Sequence, residues 1–381
     1  MNLTTSDTRT WSYVSWSGTE AEPGSLSFGT NCFSQIQENP MRSVHRALLF
    51  FVLVGLTQSV LASTFYVGTC KAGAFSTISA AVAAVPAGST VDVCPGTYAE
   101  QVKITQSLTL QGISGGGSSE VVITIPGGGL TTTSSVFFAP SVAPQLWVTA
   151  GPVNIRNIVV DGTGGGCPGS GWLLGIFYAS GSSGIINEVT VRNQTGSGCG
   201  LGIEAENGSS TVESITIENS SVHDVDAQGI NAFDNVDATI KSNYAAGGAA
   251  GIVFSAAAGS VTNNVASGSG EGMGIQGTPS VVSGNTVENS GVGIKIGTTA
   301  PVKSNKIVNS STYGIQLFTS GVTVELNSIT KSGSGIRFGC NSGTVSSNTI
   351  NDASIGLDNV PTVLVAPNTF VSVATVRTGG C

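Results

Sequence analysis

Two short signatures recur along this chain at intervals near 21 residues, and no other feature constrains its fold as much. Gly-Ile pairs begin at Gly175, Gly202, Gly229, Gly251, Gly274, Gly293, Gly314 and Gly335, with Gly356-Leu357 as a ninth. Their separations are 27, 27, 22, 23, 19, 21, 21 and 21 residues. A second register runs through Asn243, Asn264, Asn285, Asn305, Asn327 and Asn348, spaced 21, 21, 20, 22 and 21. Periods of this length belong to solenoids and arrays. Helical repeats are excluded: no segment shows a 3.6-residue pattern, and glycine and β-branched residues both disfavour helix. Within each repeat the apolar residues alternate instead, as in Ile294/Ile296, Ile315/Leu317 and Ile336/Phe338. That is the period of a strand with one face buried. Three short strands and three turns fill each repeat, and the chain then returns one strand spacing further on, roughly 4.8 Å. The predicted fold is an all-β parallel β-helix.

Each part of the repeat has an expected task. The Ile or Leu of each pair points inward and stacks on its counterparts, and the glycine before it supplies a turn conformation. The asparagine takes a left-handed turn and bonds the next amide in a ladder along the axis. Open ends of such a stack expose strand edges and need caps. A helix-like stretch at 76–85 is placed over the first coil, followed by a strand at 90–93. Coils before Gly175 are less regular, with strands read at 108–110, 121–125 and 155–160 and loops over 126–152.

Composition agrees. Only 9% of residues are charged, 53 of 381 are glycine and the net charge is −8. Nucleic-acid binding needs clustered Lys and Arg, which this acidic chain lacks. Met41 opens a basic stretch with Arg42 and Arg46, then an apolar run from Ala47, then Val60 and Ala62 at the −3 and −1 positions of a cleavage site. Residues 41–62 read as a secretory signal peptide. The apolar run is too short for a good membrane span. Residues 1–40 then read as a misassigned start or an extension, and 63–381 as one β-helix domain without a membrane span, expected as a monomer in a periplasm or outside the cell. Setting aside Cys32 leaves six cysteines, an even number suited to an oxidising compartment. Sequence order pairs Cys70 with Cys94, Cys167 with Cys199, and Cys340 with Cys381, among the 15 pairings six cysteines allow.

The segment "GTYAEQVKI" together with "LTLQGI" resembles the first coil of the right-handed parallel β-helix superfamily, the pectin-lyase-like fold. That coil is shared by pectin methylesterases, NosD-type periplasmic proteins and many exported repeat proteins. The resemblance spans nearly all of 63–381 and implies a single-stranded right-handed solenoid with an N-terminal helical cap. It implies no particular chemistry. The paired aspartates of a methylesterase (QDTL-like and DFIFG-like segments) and the NTD, DD, HG and RIK motifs of a polygalacturonase do not occur. Copper of the NosD kind needs His, Met or Cys ligands. Beyond residue 62 the chain has one histidine, His223, one methionine, Met273, and cysteines expected in pairs.

Lyases and epimerases on this scaffold need a base to remove a proton beside a uronate carboxylate, and a cation to neutralise that carboxylate. Asp161, Arg192 and His223 recur at intervals of 31 residues and are expected in one column on neighbouring coils. Asp224, Asp226 and Asp234 fall in or near the last of these coils, so Ca²⁺ is the one cofactor left open. The alternative is a surface polar column of the kind every β-helix carries. A longer column follows the Gly-Ile pairs: Phe177, Glu204, Asn231, Val253, Gln276, Lys295, Gln316, Arg337 and Asp358. Alternation turns these outward, and hydrogen-bonding groups at strand spacing, with Phe233 and Phe318 nearby, suit an extended glycan. Plain solvation of an exposed sheet is the alternative. Trp172, Phe177 and Tyr178 lie in the irregular coils between Cys167 and Cys199, where loops on a rigid scaffold carry function. Two readings stay open: an exported carbohydrate-interacting protein (a polysaccharide lyase, hydrolase or epimerase if an enzyme), and a non-catalytic rod or adhesive protein of the envelope.

Overall fold

The computed structural model describes residues 63–114, 120–361 and 366–379. The expected signal peptide, residues 1–40 and Cys381 lie outside the described residues. Within them the chain winds as a β-helix. The strand pairings along its length are parallel and join each coil to the next.

The pairings sort the strands into three parallel sheets. The first contains Val142–Val148, Trp172–Tyr178 and Gly200–Asn207, then the start of Gln228–Lys241, and later Val292–Ile296. The second runs from Thr64–Val67 through Ser89–Val93 and Leu108–Gly112 to Gly343–Ser346. The third runs from Gly96–Ala99 through Val159–Asp161, Thr190–Gln194 and Ser221–Val225 to Thr369–Val371.

Inside, identical slots stack. On the first sheet the inward ladder is Ile176, Ile203, Ile230, Ile252, Met273, Ile294, Ile315, Ile336 and Leu357, all buried. Met273 stands where the Gly-Ile pattern placed Ile275. The true pair of that coil is therefore Gly272-Met273, which turns the separations of 23 and 19 into two of 21. A flexible, unbranched methionine fills an isoleucine slot at little cost.

The paired glycines serve close approach and not a turn. A Cβ on Gly293 would sit 2.4 Å from the Gly314 carbonyl oxygen, one on Gly314 2.6 Å from that of Gly335, and one on Gly335 2.7 Å from that of Gly356. The asparagine ladder forms as expected and extends one rung further, to Asn368. Each amide donates to the next Oδ1, as from Asn264 to Asn285 at 3.1 Å and from Asn285 to Asn305 at 3.0 Å. Each Oδ1 also accepts the backbone N–H of the preceding asparagine. The left-handed residue is not the asparagine but its predecessor: Ser242, Asn263, Gly284, Ser304, Leu326 and Ser347 all have φ between +55° and +66°.

The cap helix is Ile78–Ala84, with Thr77 as N-cap accepting from the Ala80 N–H. Ile78, Ala81 and Val82 bury against the first coil. The Cys70–Cys94 and Cys167–Cys199 disulfides form, with Cα separations of 5.7 and 5.8 Å. Cys340 is also disulfide-bonded. The stretch 126–152, read as loops, contains the strand Val142–Val148 of the first sheet. No helix of the described residues is long and apolar enough to cross a membrane.

Candidate functional site

The outer face of the first sheet carries a side-chain column in register: Trp147, Phe177, Glu204, Asn231, Val253, Gly274, Lys295, Gln316, Arg337 and Asp358. Gln276 is corrected out of it. Because the coil is set by Met273, the outward slot falls on Gly274, and Gln276 lies beyond the strand Glu271–Ile275. Lys103 opens the column, its ammonium 3.7 Å from the centre of the Trp147 ring.

The column divides in two. Phe177, Glu204 and Asn231 point away from the solenoid yet have no solvent exposure, so the expectation of an exposed binding face fails for these three. A strap, residues 131–141, lies over this part of the face, with Phe138 in one cluster with Phe177 and Phe233 and Ser135 bonded to Glu204. Its base is tied by Gln101, which exchanges hydrogen bonds with Thr131, and by the antiparallel bridge between Thr133 and Val142. At its tip Ser135 turns the chain, its hydroxyl accepting from the Phe137 and Phe138 N–H groups. The Glu206 carboxylate holds that tip. It accepts from Ser135 Oγ at 2.7 Å, Val136 N at 2.8 Å and Phe137 N at 3.2 Å. Phe137 stacks flat on Phe233, centroids 3.8 Å apart, and Phe138 packs between Phe233 and Trp172. Trp172 and Phe177 thus join the strap to the solenoid, while Tyr178 faces the core and donates to the Val153 carbonyl.

Beneath the strap the chemistry is acidic. Burial, with Glu206 next to it and Asp234 beyond, pushes the Glu204 carboxyl well above its usual range. Burial and Glu206 also push Asp234 up. Glu206 was legible as a companion of Glu204, since residues two apart on a strand share a face. The strap was not.

The second half of the column is open. Lys295 pairs with Glu271 at 3.1 Å and lies over the Phe318 ring. Arg337 lies over the Tyr313 ring and donates to its hydroxyl. Gln316 stands between the two cations, and Phe318 is exposed.

The third sheet carries the other column. Asp161, Arg192 and His223 are in register on adjacent coils, as their spacing predicted. Arg192 Nε donates to Asp161 Oδ2 at 2.8 Å. Burial raises the Asp161 carboxyl, but donors from Thr163, Asn193 and Arg192 outweigh it, and the net result lies well below the usual carboxylate range. A base so strongly held as its anion takes up protons poorly. His223 Nδ1 meets Asp224 Oδ2 at 2.7 Å. Asp226 belongs elsewhere: its carboxylate accepts from the N–H groups of Gly196 and Gly198 at 2.7 and 2.9 Å, and also from Gly200. It fixes the loop closed by the Cys167–Cys199 disulfide. Asp224 and Asp226 therefore have separate partners, and Asp234 is raised by burial and by Glu206 on the first sheet's side. Among the described residues no three His, Cys, Asp or Glu side chains are grouped so as to hold a metal ion.

The family described as periplasmic copper-binding protein (NosD) matches residues 206–379. The soft donors in that span do not fit copper. Met273 is fully buried in the inward ladder, Cys340 is disulfide-bonded, and His223 is bonded to Asp224 on the third sheet. No curated protein matches the chain. Among solved structures, the A-module of the Azotobacter vinelandii mannuronan C-5 epimerase AlgE4 aligns with a TM-score of 0.55 at 18% identity, covering 77% of this chain and 90% of its own. The GH136 lacto-N-biosidase from Eubacterium ramulus aligns with a TM-score of 0.59 at 12% identity, covering 82% and 68%. At these identities the likeness concerns the fold, a right-handed parallel β-helix.

Proposed function

We propose that this right-handed parallel β-helix is an exported protein that binds an extended, weakly charged glycan along the outer face of its first sheet. One observation carries the reading: Lys295, Gln316, Arg337 and Asp358 lie in register on successive coils, flanked by the rings of Phe318 and Tyr313. A glycan offers hydroxyls to such donors and acceptors and apolar ring faces to such aromatics. Lys295 is paired with Glu271 and Asp358 follows Arg337 in register, which leaves little net attraction for a polyanion. Export is supported by the two described disulfides, bonds that persist in oxidising compartments, and by the periplasmic description of the matching family. The names of both aligned structures are those of enzymes acting on saccharides, which supports the ligand class.

The test is calorimetric titration with neutral and uronate oligosaccharides. Gln316→Ala and Arg337→Ala should each weaken binding about three- to tenfold, with Tm unchanged. Binding of no saccharide would reject the reading in favour of a structural rod.

A second reading rests on the His223–Asp224 pair, half exposed beside Arg192. It has the parts for moving a proton next to a carboxylate held by an arginine, with Asp161 orienting that arginine. Mass spectrometry of the products would show unsaturated fragments for a lyase and saturated ones for a hydrolase. Unchanged chains of altered stereochemistry would mean an epimerase. His223→Ala should abolish any of these, and product formation that survives it removes this reading.

A further inference from the structure

The strap covers more than apolar surface. Asn231 is fully buried, and neither its Oδ1 nor its Nδ2 has a hydrogen-bond partner among the described residues. Glu204, its register partner on the preceding coil, has a long hydrogen bond from Ser135 and shares one with Glu206. Buried polar groups in folded proteins are almost always paired, so a buried asparagine in the outward column with both ends of its amide unpaired needs an explanation. The asparagine ladder shows the contrast, with every amide from Asn243 to Asn348 donating to its neighbour's Oδ1.

The contacts holding the strap tip over these groups are few and separable. At the tip itself they are the Glu206 carboxylate and one ring pair, Phe137 on Phe233 with an interplanar angle of 10°; behind the tip Phe138 packs between Phe233 and Trp172, and Trp172 Nε1 donates to the Ala139 carbonyl. Phe137 itself remains half exposed. It therefore lies flat on Phe233 from the solvent side, in the position a flat apolar ligand face would take.

We propose that residues 131–141 are a displaceable cover, and that Phe233, Asn231 and Glu204 beneath them form a closed subsite for an uncharged pyranose ring. The ring would replace Phe137 on Phe233, and its hydroxyls would pair with Asn231 and Glu204. The Glu206 carboxylate, which holds the strap tip at the edge of this subsite, disfavours a uronate by like-charge repulsion. The proposal rests on the glycan reading above, and it places the subsite on the same face, with Asn231 three coils before Lys295.

Displacement means that the strap competes with ligand, so loosening it must raise apparent affinity. The experiment is titration of the purified full chain with cellohexaose, chitohexaose and, as the anionic control, hexagalacturonate. Amide exchange is followed at Val136 and Phe137, whose N–H groups bond Glu206. Phe137→Ala should bind an uncharged hexamer about tenfold more tightly than the parent. Asn231→Ala and Phe233→Leu should each bind at least tenfold more weakly. Ligand should speed exchange at the two strap amides of the parent, and hexagalacturonate should do none of this. Unchanged affinity in Phe137→Ala together with unchanged strap exchange overturns the proposal, even if Asn231→Ala proves too unstable to titrate. If Gln316→Ala and Arg337→Ala weaken binding while Phe137→Ala and Phe233→Leu do nothing, the subsite is wrong and the open column stands. If neither the parent nor Phe137→Ala binds any hexamer, both fail.

Discussion

Leu326 holds a backbone φ of +59° at a turn where the other coils place Ser242, Asn263, Gly284, Ser304 and Ser347. A left-handed conformation costs an ordinary L-residue about 1–2 kcal/mol, less for asparagine, whose short amide bonds locally. The leucine is also exposed, so it recovers nothing by burial. Leu326→Asn should therefore stabilise the protein by about 1 kcal/mol, read as a higher denaturation midpoint with an unchanged slope. The neighbouring position behaves oppositely. Asn285 accepts from the Asn264 N–H and amide, and donates to Asn305 Oδ1 and the Val261 carbonyl. All of these groups are buried. Asn285→Ala leaves several unpaired at once, at about 1–3 kcal/mol for each group left unsatisfied. A loss of more than about 3 kcal/mol in equilibrium denaturation is expected. A loss below about 1 kcal/mol would mean that the ladder contributes order but little stability.

Above single residues, the strap and the disulfide loop show how elements are fixed to the solenoid by carboxylates reaching across coils. Burial raises the Asp226 carboxyl, but the N–H groups of Gly196, Gly198 and Gly200 outweigh it and hold it below its usual range. A depressed folded value contributes stability above the unfolded pKa, about 3.9, and that stability is lost as pH falls through the lower folded value. Asp226→Asn should lower Tm at pH 7. The gap to the parent should close below about pH 4; a gap independent of pH would show that the carboxylate charge plays no part. Elements of this kind were the least legible in the sequence. The coils were readable because each restates the same pattern of glycine, aliphatic residue and asparagine. Even the irregular separations of 23 and 19 encoded the coil, and only the Met273 substitution hid it. The Asp161, Arg192 and His223 register was readable for the same reason, a constant interval of 31. The strap has no period. Its position depends on Val136 meeting Glu206, 70 residues away, and without that partner Phe177, Glu204 and Asn231 read as exposed. The outward direction of those side chains followed from alternation; their burial is a tertiary fact.

For the molecule as a whole, each coil bonds only its neighbours, so stability propagates along one axis and the ends decide where unfolding starts. The N-terminal end is closed from both sides of its cap helix. Glu100 accepts from the Ile78 and Ser79 N–H groups, both at 2.8 Å, at the positive end of the helix dipole. Gln106 donates to the Val82 and Val85 carbonyls at the other end. At the opposite end the strands Thr369–Val371 and Thr375–Arg377 leave Val371 and Val376 exposed. Hydrogen exchange should therefore be slowest in the coils joined by the asparagine ladder and fastest in these last strands. Glu100→Ala removes two helix N–H partners at once and should lift the cap, exposing the first sheet's starting edge at Val102–Ile104, which pairs only with Val142–Val148. The expected outcome is faster exchange confined to the first two coils, with protection around Asn285 unchanged. If protection instead falls equally along the whole chain, the solenoid unfolds as one cooperative unit, and the cap governs global stability rather than a local edge.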